Sequence, residues 1–133
     1  MKNISYTFSK DERLNSKVSI EDLFKKGDSF FKYPFKVIYS KELSVEKFIV
    51  KLLISVPKRT HKKAVDRNKI KRLIREAYRL NKHILYDIEN TGLNPINIAL
   101  IYNAKSILTY QEIERKIILI LQTIKKQDEI LLD

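Results

Sequence analysis

The chain has no cysteine, so it can form no disulfide and offers no thiolate to a metal. Its only two glycines, Gly27 and Gly92, are too few for a Gly-rich phosphate loop. The two histidines, His61 and His83, are far apart, and no H-x-x-x-H or D-x-D spacing occurs. Glu42, Glu46, Asp87 and Glu89 fall in connections or at a helix end, with nothing nearby in sequence to tune them. An acid–base pair, an activated nucleophile and a metal cluster all lack support in the residues. No apolar run approaches the roughly 18 residues that a membrane span needs. The first residues, M-K-N-I-S-Y-T-F-S-K, lack the apolar region of a signal peptide. These absences predict a cytoplasmic binding protein with no membrane association and no cofactor of its own.

What the chain does have is cationic charge, concentrated in one place. It carries 27 Lys and Arg against 16 Asp and Glu, a net of +11. The stretch from Lys58 to Lys82 holds eleven of those cations against two acids, Asp66 and Glu76, a net of +9, which leaves +2 for all the rest. Charge this local points to a polyanion rather than to general solubility.

Within that stretch, Ile70, Leu73, Ile74, Ala77 and Asn81 follow the i, i+3, i+4, i+7 pattern of a helix face. Asn68, Lys71, Arg72, Arg75, Arg79 and Lys82 fall on the opposite side of the wheel, and Arg67 flanks the apolar edge. The spacing predicts an amphipathic helix from Ala64 that runs past Lys82, because Ile84, Leu85 and Ile88 continue the period, and that stops at E-N-T-G over 89–92. Like charges at i, i+4 along Lys71, Arg75 and Arg79 repel by a few tenths of a kcal/mol each in an isolated helix. An external anion relieves that conflict. The competing interpretation, a solvated basic face, is disfavoured by the density and the single-sided layout. The loop before the helix, K-R-T-H-K-K, adds Lys58, Arg59, Lys62 and Lys63, and His61 within it reads as a surface or phosphate-contacting side chain.

The remaining elements follow in order. Residues 1–12 read as a flexible arm docking by Phe8, and by Leu14 just beyond it. Ser19 with Asp22 makes a weak capping box for a short first helix with Ile20, Leu23 and Phe24 on its apolar face and Gly27 as its stop. F-F-K-Y-P-F-K-V-I-Y over 30–39 predicts a strand with Phe31, Tyr33, Phe35, Val37 and Tyr39 facing the core. Phe30, Lys32, Lys36 and Ile38 lie on its other face, and Pro34 marks an edge or bulge. Cations beside apolar or aromatic groups on a sheet face suit an unpaired nucleic-acid strand, although lysines kept for solubility give the same pattern. K-E-L-S-V-E-K predicts a polar hairpin connection, and Lys47 to Val56 a more apolar, central strand ended by Pro57. I-N-I-A-L-I-Y over 96–102 predicts a further strand. Thr109 to Glu112 is a clear capping box opening a last helix with Tyr110, Ile113, Ile117, Leu121 and Ile124 on one face, fading near residue 128, with 128–133 as a frayed end.

The expected fold is a single α+β domain over 1–133, with one small, mostly antiparallel sheet and three helices packed mainly on one side. A basic helix could enter a DNA major groove, but a strand and basic loop precede it rather than a helix-turn-helix partner. The combination fits structured RNA plus a single strand better, and DNA is not an expected partner.

A64-V65-D66-R67-N68-K69-I70-K71-R72-L73-I74-R75-E76 closely resembles the signature of the protein subunit of bacterial ribonuclease P, A-V-x-R-N-R-x-K-R-x-x-R. Arg13-Leu14, the helix end from Leu23 to Gly27, the aromatic strand from Phe35, I-S-V-P-K-R and Thr109 to Glu112 resemble the family's flanking segments in order and spacing. Lys69 stands where Arg is usual, which keeps the charge but loses the bidentate fork. The loop from Lys58 to Lys63 has no glycine where the family often has one.

The resemblance implies a non-catalytic subunit. It implies a partner, the catalytic RNA of ribonuclease P, that removes the 5′ leader of precursor tRNA with Mg²⁺ held by the RNA in the holoenzyme. It implies RNA contacts by Arg67, Asn68, Lys69, Lys71, Arg72, Arg75 and Arg79 together with the adjoining loop, and a leader cleft lined by Ile20, Phe24, Lys36 and Ile38. Ile20 stands where the family often has an aromatic. The resemblance also implies a left-handed β-α-β crossover through the motif helix, against the usual right-handed rule. The alternative reading is a general structured-RNA or ribosome-associated module; a self-contained nuclease is disfavoured by the missing acid cluster.

Overall fold

A computed structural model describes residues 8–41, 49–86 and 95–132, the side chains of 128–132 excepted. The expected helix stop at 89–92, the connection over 42–47, Ile88, and the acids Glu42, Glu46, Asp87 and Glu89 lie outside these residues, as do residues 1–7 of the arm. The described chain builds four helices, α1 (Lys17–Lys26), α2 (Ala64–Asn81), α3 (His83–Tyr86) and α4 (Tyr110–Leu132), and four strands, β1 (Asp28–Lys32), β2 (Phe35–Lys41), β3 (Val50–Ser55) and β4 (Ile96–Tyr102).

Helix α1 begins earlier than the Ser19 box predicts. Ser16 is its N-cap and accepts a hydrogen bond from the Ser19 amide at 3.3 Å. Residues 8–12, the described part of the expected arm, are docked. Phe8 meets the Tyr78 ring edge-on at 5.7 Å, and Lys10–Glu12 forms a 3-10 turn whose Glu12 is buried.

The aromatic run over 30–39 is two strands. Pro34 has no N–H for a ladder and a fixed φ, and the chain reverses at Tyr33–Pro34 so that β1 pairs antiparallel with β2, with Phe30 opposite Val37 and Phe31 opposite Lys36. A reversal changes which alternate residues share a face. Phe30 therefore joins Phe35, Val37 and Tyr39 against the core, whereas Phe31 and Tyr33, expected inside, are 56% and 53% exposed.

The sheet order is β1-β2-β4-β3. β2 and β3 are therefore not a hairpin: β4 lies between them, antiparallel to β2 and parallel to β3. β3, expected at the centre, is an edge strand of this sheet. β4 is central, and its residues Ile96 to Leu100 are all buried, as befits a strand covered on both faces. The parallel β3/β4 pair is joined through α2, so the cationic stretch is the crossover of a β-α-β unit.

Two apolar cores follow from the two faces. One lies under α2, α3 and α4, built from Phe35, Val37, Leu52, Ile98, Leu100, Ile70, Ile74, Ile113 and Ile117 among others. The smaller one lies on the opposite face under α1, where Leu14, Leu23, Ile38 and Ala99 meet. One helix thus packs on the face opposite the other three. Ile120 and Tyr78 also face the larger core, beyond the expected apolar positions.

Candidate nucleic-acid interface

Helix α2 is held by one side. Ile70, Ile74, Ala77 and Tyr78 are fully buried, and burying a single Ile contributes about 1.5–3 kcal/mol. That exceeds the few tenths of a kcal/mol by which each i, i+4 cation pair opposes the helix, so packing alone can hold the charges in place. Asn68, Lys69, Arg72 and Arg75 are exposed and Lys71 half-exposed on the outward side. Among the described residues, no acid pairs with Lys69, Lys71, Arg72 or Arg75.

Two expected members of the stripe differ from these. Arg79 is engaged by Glu76, with Nε donating to Oε1 at 3.0 Å and a terminal nitrogen to Oε2 at 2.7 Å. That hydrogen bonding holds the Glu76 carboxyl below its ordinary value. Lys82 is not on the outer face at all. The helix breaks there before α3, and its ammonium is buried against both oxygens of Glu12 at 2.9 and 2.8 Å. A wheel drawn straight through residue 82 cannot show the break.

The basic loop has a fixed path without glycine. The Pro57 carbonyl accepts from the Thr60 and His61 amides, each at 3.2 Å, and from the Thr60 hydroxyl at 3.0 Å. His61, expected at the surface, is buried: its Nε2 lies 2.7 Å from the Ala104 carbonyl, and its ring tilts against Tyr102 at 5.9 Å. Arg67 closes the loop from the helix side, one terminal nitrogen donating to the His61 and Lys62 carbonyls at 2.9 and 2.8 Å. Part of Arg67's donor capacity therefore serves the protein's own backbone. Lys58, Arg59, Lys62 and Lys63 stay exposed around this brace.

The second region lies on the sheet face that carries α1. Phe24 is 49% exposed, Ile20 is half-buried and Lys36 is exposed. Ile38 packs beneath α1 with Leu23, forming the floor there rather than an open wall. Gly27 permits this close approach, since a Cβ at that position would stand 2.8 Å from Ile38 Cγ2. Sequence reasoning missed Phe31, which its register with Lys36 places on this face, and Tyr33, whose ring lies 6.5 Å from it. The available signal was Pro34, read as a turn instead of an edge.

Comparison with known proteins addresses the family and the fold. A family model described as Ribonuclease P matches residues 8–125. The chain is 35% identical over 111 residues to the ribonuclease P protein component of Porphyromonas gingivalis, covering 84% of this chain and 81% of that one. It is 36% identical over 103 residues to the component from Chlorobaculum tepidum, covering 71% and 66%. Among solved structures, the Staphylococcus aureus RNase P protein superposes with a TM-score of 0.67 at 28% identity, covering 86% of this chain and 95% of that chain. The Thermotoga maritima RNase P protein gives 0.66 at 26%, covering 84% and 96%.

Proposed function

Since the chain belongs to the ribonuclease P protein family and is a protein subunit of that ribonucleoprotein endoribonuclease, we propose how its surfaces divide the work. The outward cations of α2, namely Lys69, Lys71, Arg72 and Arg75, with Asn68 and the loop residues Lys58, Arg59, Lys62 and Lys63, engage the phosphates of the catalytic RNA. Arg67 shapes the loop and contacts RNA with its remaining donors, and Arg79 contributes less because Glu76 already engages it. Phosphate contacts of this kind supply affinity and position without reading sequence.

The face between α1 and the sheet takes the single-stranded 5′ leader of precursor tRNA. Phe24 and Ile20 supply apolar contact and Lys36 a phosphate partner, over a floor made by Ile38. Chemistry resides in the RNA, which holds the Mg²⁺. The described residues contain no group of three or more His, Cys, Asp or Glu that could hold a metal ion. Among the described residues no helix is long and apolar enough to cross a membrane.

One observation carries the reading: Lys69, Lys71, Arg72 and Arg75, with no acid partner among the described residues, line the outward side of a helix whose other side is buried. Reconstitution with a bacterial ribonuclease P RNA at low Mg²⁺ tests it. Stimulated cleavage of precursor tRNA is expected, and a preparation that leaves the RNA's rate unchanged overturns the proposal. Capture of ribosomal or mixed RNA in place of one long structured RNA would favour the general RNA-binding alternative.

A further inference from the structure

Phe31 and Tyr33 are large aromatics, each more than half exposed, at the turn between β1 and β2. Leaving one such ring in water forgoes the stabilisation that burial of a large apolar side chain provides. Two together form a patch for which the fold has no use. Neither packs into the two cores.

Their position is set by register. Phe31 lies opposite Lys36, Lys36 opposite Ile101, and Ile101 opposite Ser55. Directly opposed residues share a face, and this is the face on which Ile38 and Ala99 meet α1. The row thus crosses the whole sheet, about 14 Å at the usual strand spacing. At one end stand Phe31 and its neighbour Tyr33. At the other, Ser55 is followed within three residues by Lys58 and the braced basic loop. Lys36 sits within the row directly opposite Phe31, so a cation accompanies the rings, whereas Lys32 pairs with Phe35 and belongs to the other face.

We propose that Phe31 and Tyr33 are a base-stacking platform at the outer end of the leader path. The occupant is an unpaired nucleotide of the precursor's 5′ leader, beyond those held under α1, with its phosphate drawn by Lys36. Two features favour this occupant. Rings beside an ammonium group, that of Lys36, match a nucleotide's base and phosphate together. The row is also continuous with the face already assigned to the leader, sharing Lys36 with it. The platform supplies, at a different point of the face, aromatic surface that Ile20 does not provide. This inference rests on the leader reading and adds residues to it.

The test uses the holoenzyme reconstituted with ribonuclease P RNA and precursor tRNAs carrying leaders of stepwise length. The readout is the ratio of affinity for a long leader to that for a short one, for the unmodified protein and for Phe31→Ala, Tyr33→Ala and Phe31→Tyr. Stacking on an aromatic is worth about 1–3 kcal/mol per base, or roughly a fivefold to hundredfold change in affinity. The alanine variants should lower the ratio by at least the lower figure, and Phe31→Tyr should retain it. An unchanged ratio overturns the platform, as does an equal loss on long and short leaders, which marks a structural role. Self-association of the free protein that vanishes in Phe31→Ala, with the ratio unchanged, assigns the patch to a second copy of the chain and overturns it too. If the unmodified protein gains nothing from any leader, the leader reading itself fails, a result separable from failure of the platform alone.

Discussion

Lys82 and Glu12, 70 residues apart, form a buried ion pair in which one ammonium donates to both carboxylate oxygens at 2.9 and 2.8 Å. The contact ties the segment before α1 to the break between α2 and α3. The Tyr86 ring lies 5.6 Å from the same ammonium. Lys82 belongs by sequence to the cationic stretch and by structure to the scaffold.

Removing one partner of a buried pair leaves the other charge uncompensated, at a cost of about 3–5 kcal/mol. Glu12→Ala is expected to lose about that much in urea unfolding. Replacing both partners, as Glu12→Leu with Lys82→Met, should recover most of it. A single-variant loss below roughly 1 kcal/mol would show that the pair does not hold the segment.

Arg75→Ala should weaken binding to ribonuclease P RNA and reduce the slope of log affinity against log salt by about one. Arg79→Ala should do less, because Glu76 already neutralises that guanidinium. Glu76→Gln should strengthen binding by removing a negative charge from the exposed side of α2. Filter binding across a salt series decides; equal losses for Arg75→Ala and Arg79→Ala would contradict the ranking.

Tyr86 is pushed up to about 12, chiefly by burial, while its hydroxyl accepts the Val50 amide at 2.9 Å. A raised value in the folded state means that the fold retains the phenol proton after the unfolded chain has lost it. Its contribution is therefore complete below about pH 10 and is lost as pH rises toward 12. Tyr86→Phe should flatten the decline of stability over that window relative to the unmodified protein, and should cost about 1–3 kcal/mol at neutral pH by stranding the Val50 amide. Parallel stability curves at high pH would exclude Tyr86 as their source.

Gly27 has φ −71°, so its value lies in space rather than in backbone freedom. A Cβ there would meet the Leu23 carbonyl at 2.5 Å and Ile38 Cγ2 at 2.8 Å. Gly27→Ala should destabilise the fold by about 1–3 kcal/mol and displace the C-terminal end of α1 from Ile38. Leader-length discrimination should fall with it; an unaltered melting temperature would place that end of the helix elsewhere.

Local pattern alone determined α2, its buried Ile70, Ile74 and Ala77, the cap at Thr109, whose hydroxyl accepts the Glu112 amide at 3.2 Å, and the concentration of charge. Each depends on neighbours within about one helical turn, and the family signature lies in the same short stretch. Tertiary structure decided which strand adjoins which, since insertion of β4 between β2 and β3 joins residues far apart in the chain. It also decided the orientation of Phe31 and Tyr33, because one reversal at Pro34 exchanges the faces of everything before it. The roles of His61, Lys82 and Arg79 were settled the same way. A histidine or cation looks alike in sequence whether it meets water, a carbonyl or a carboxylate, and only the folded chain brings Ala104, Glu12 or Glu76 within hydrogen-bonding distance.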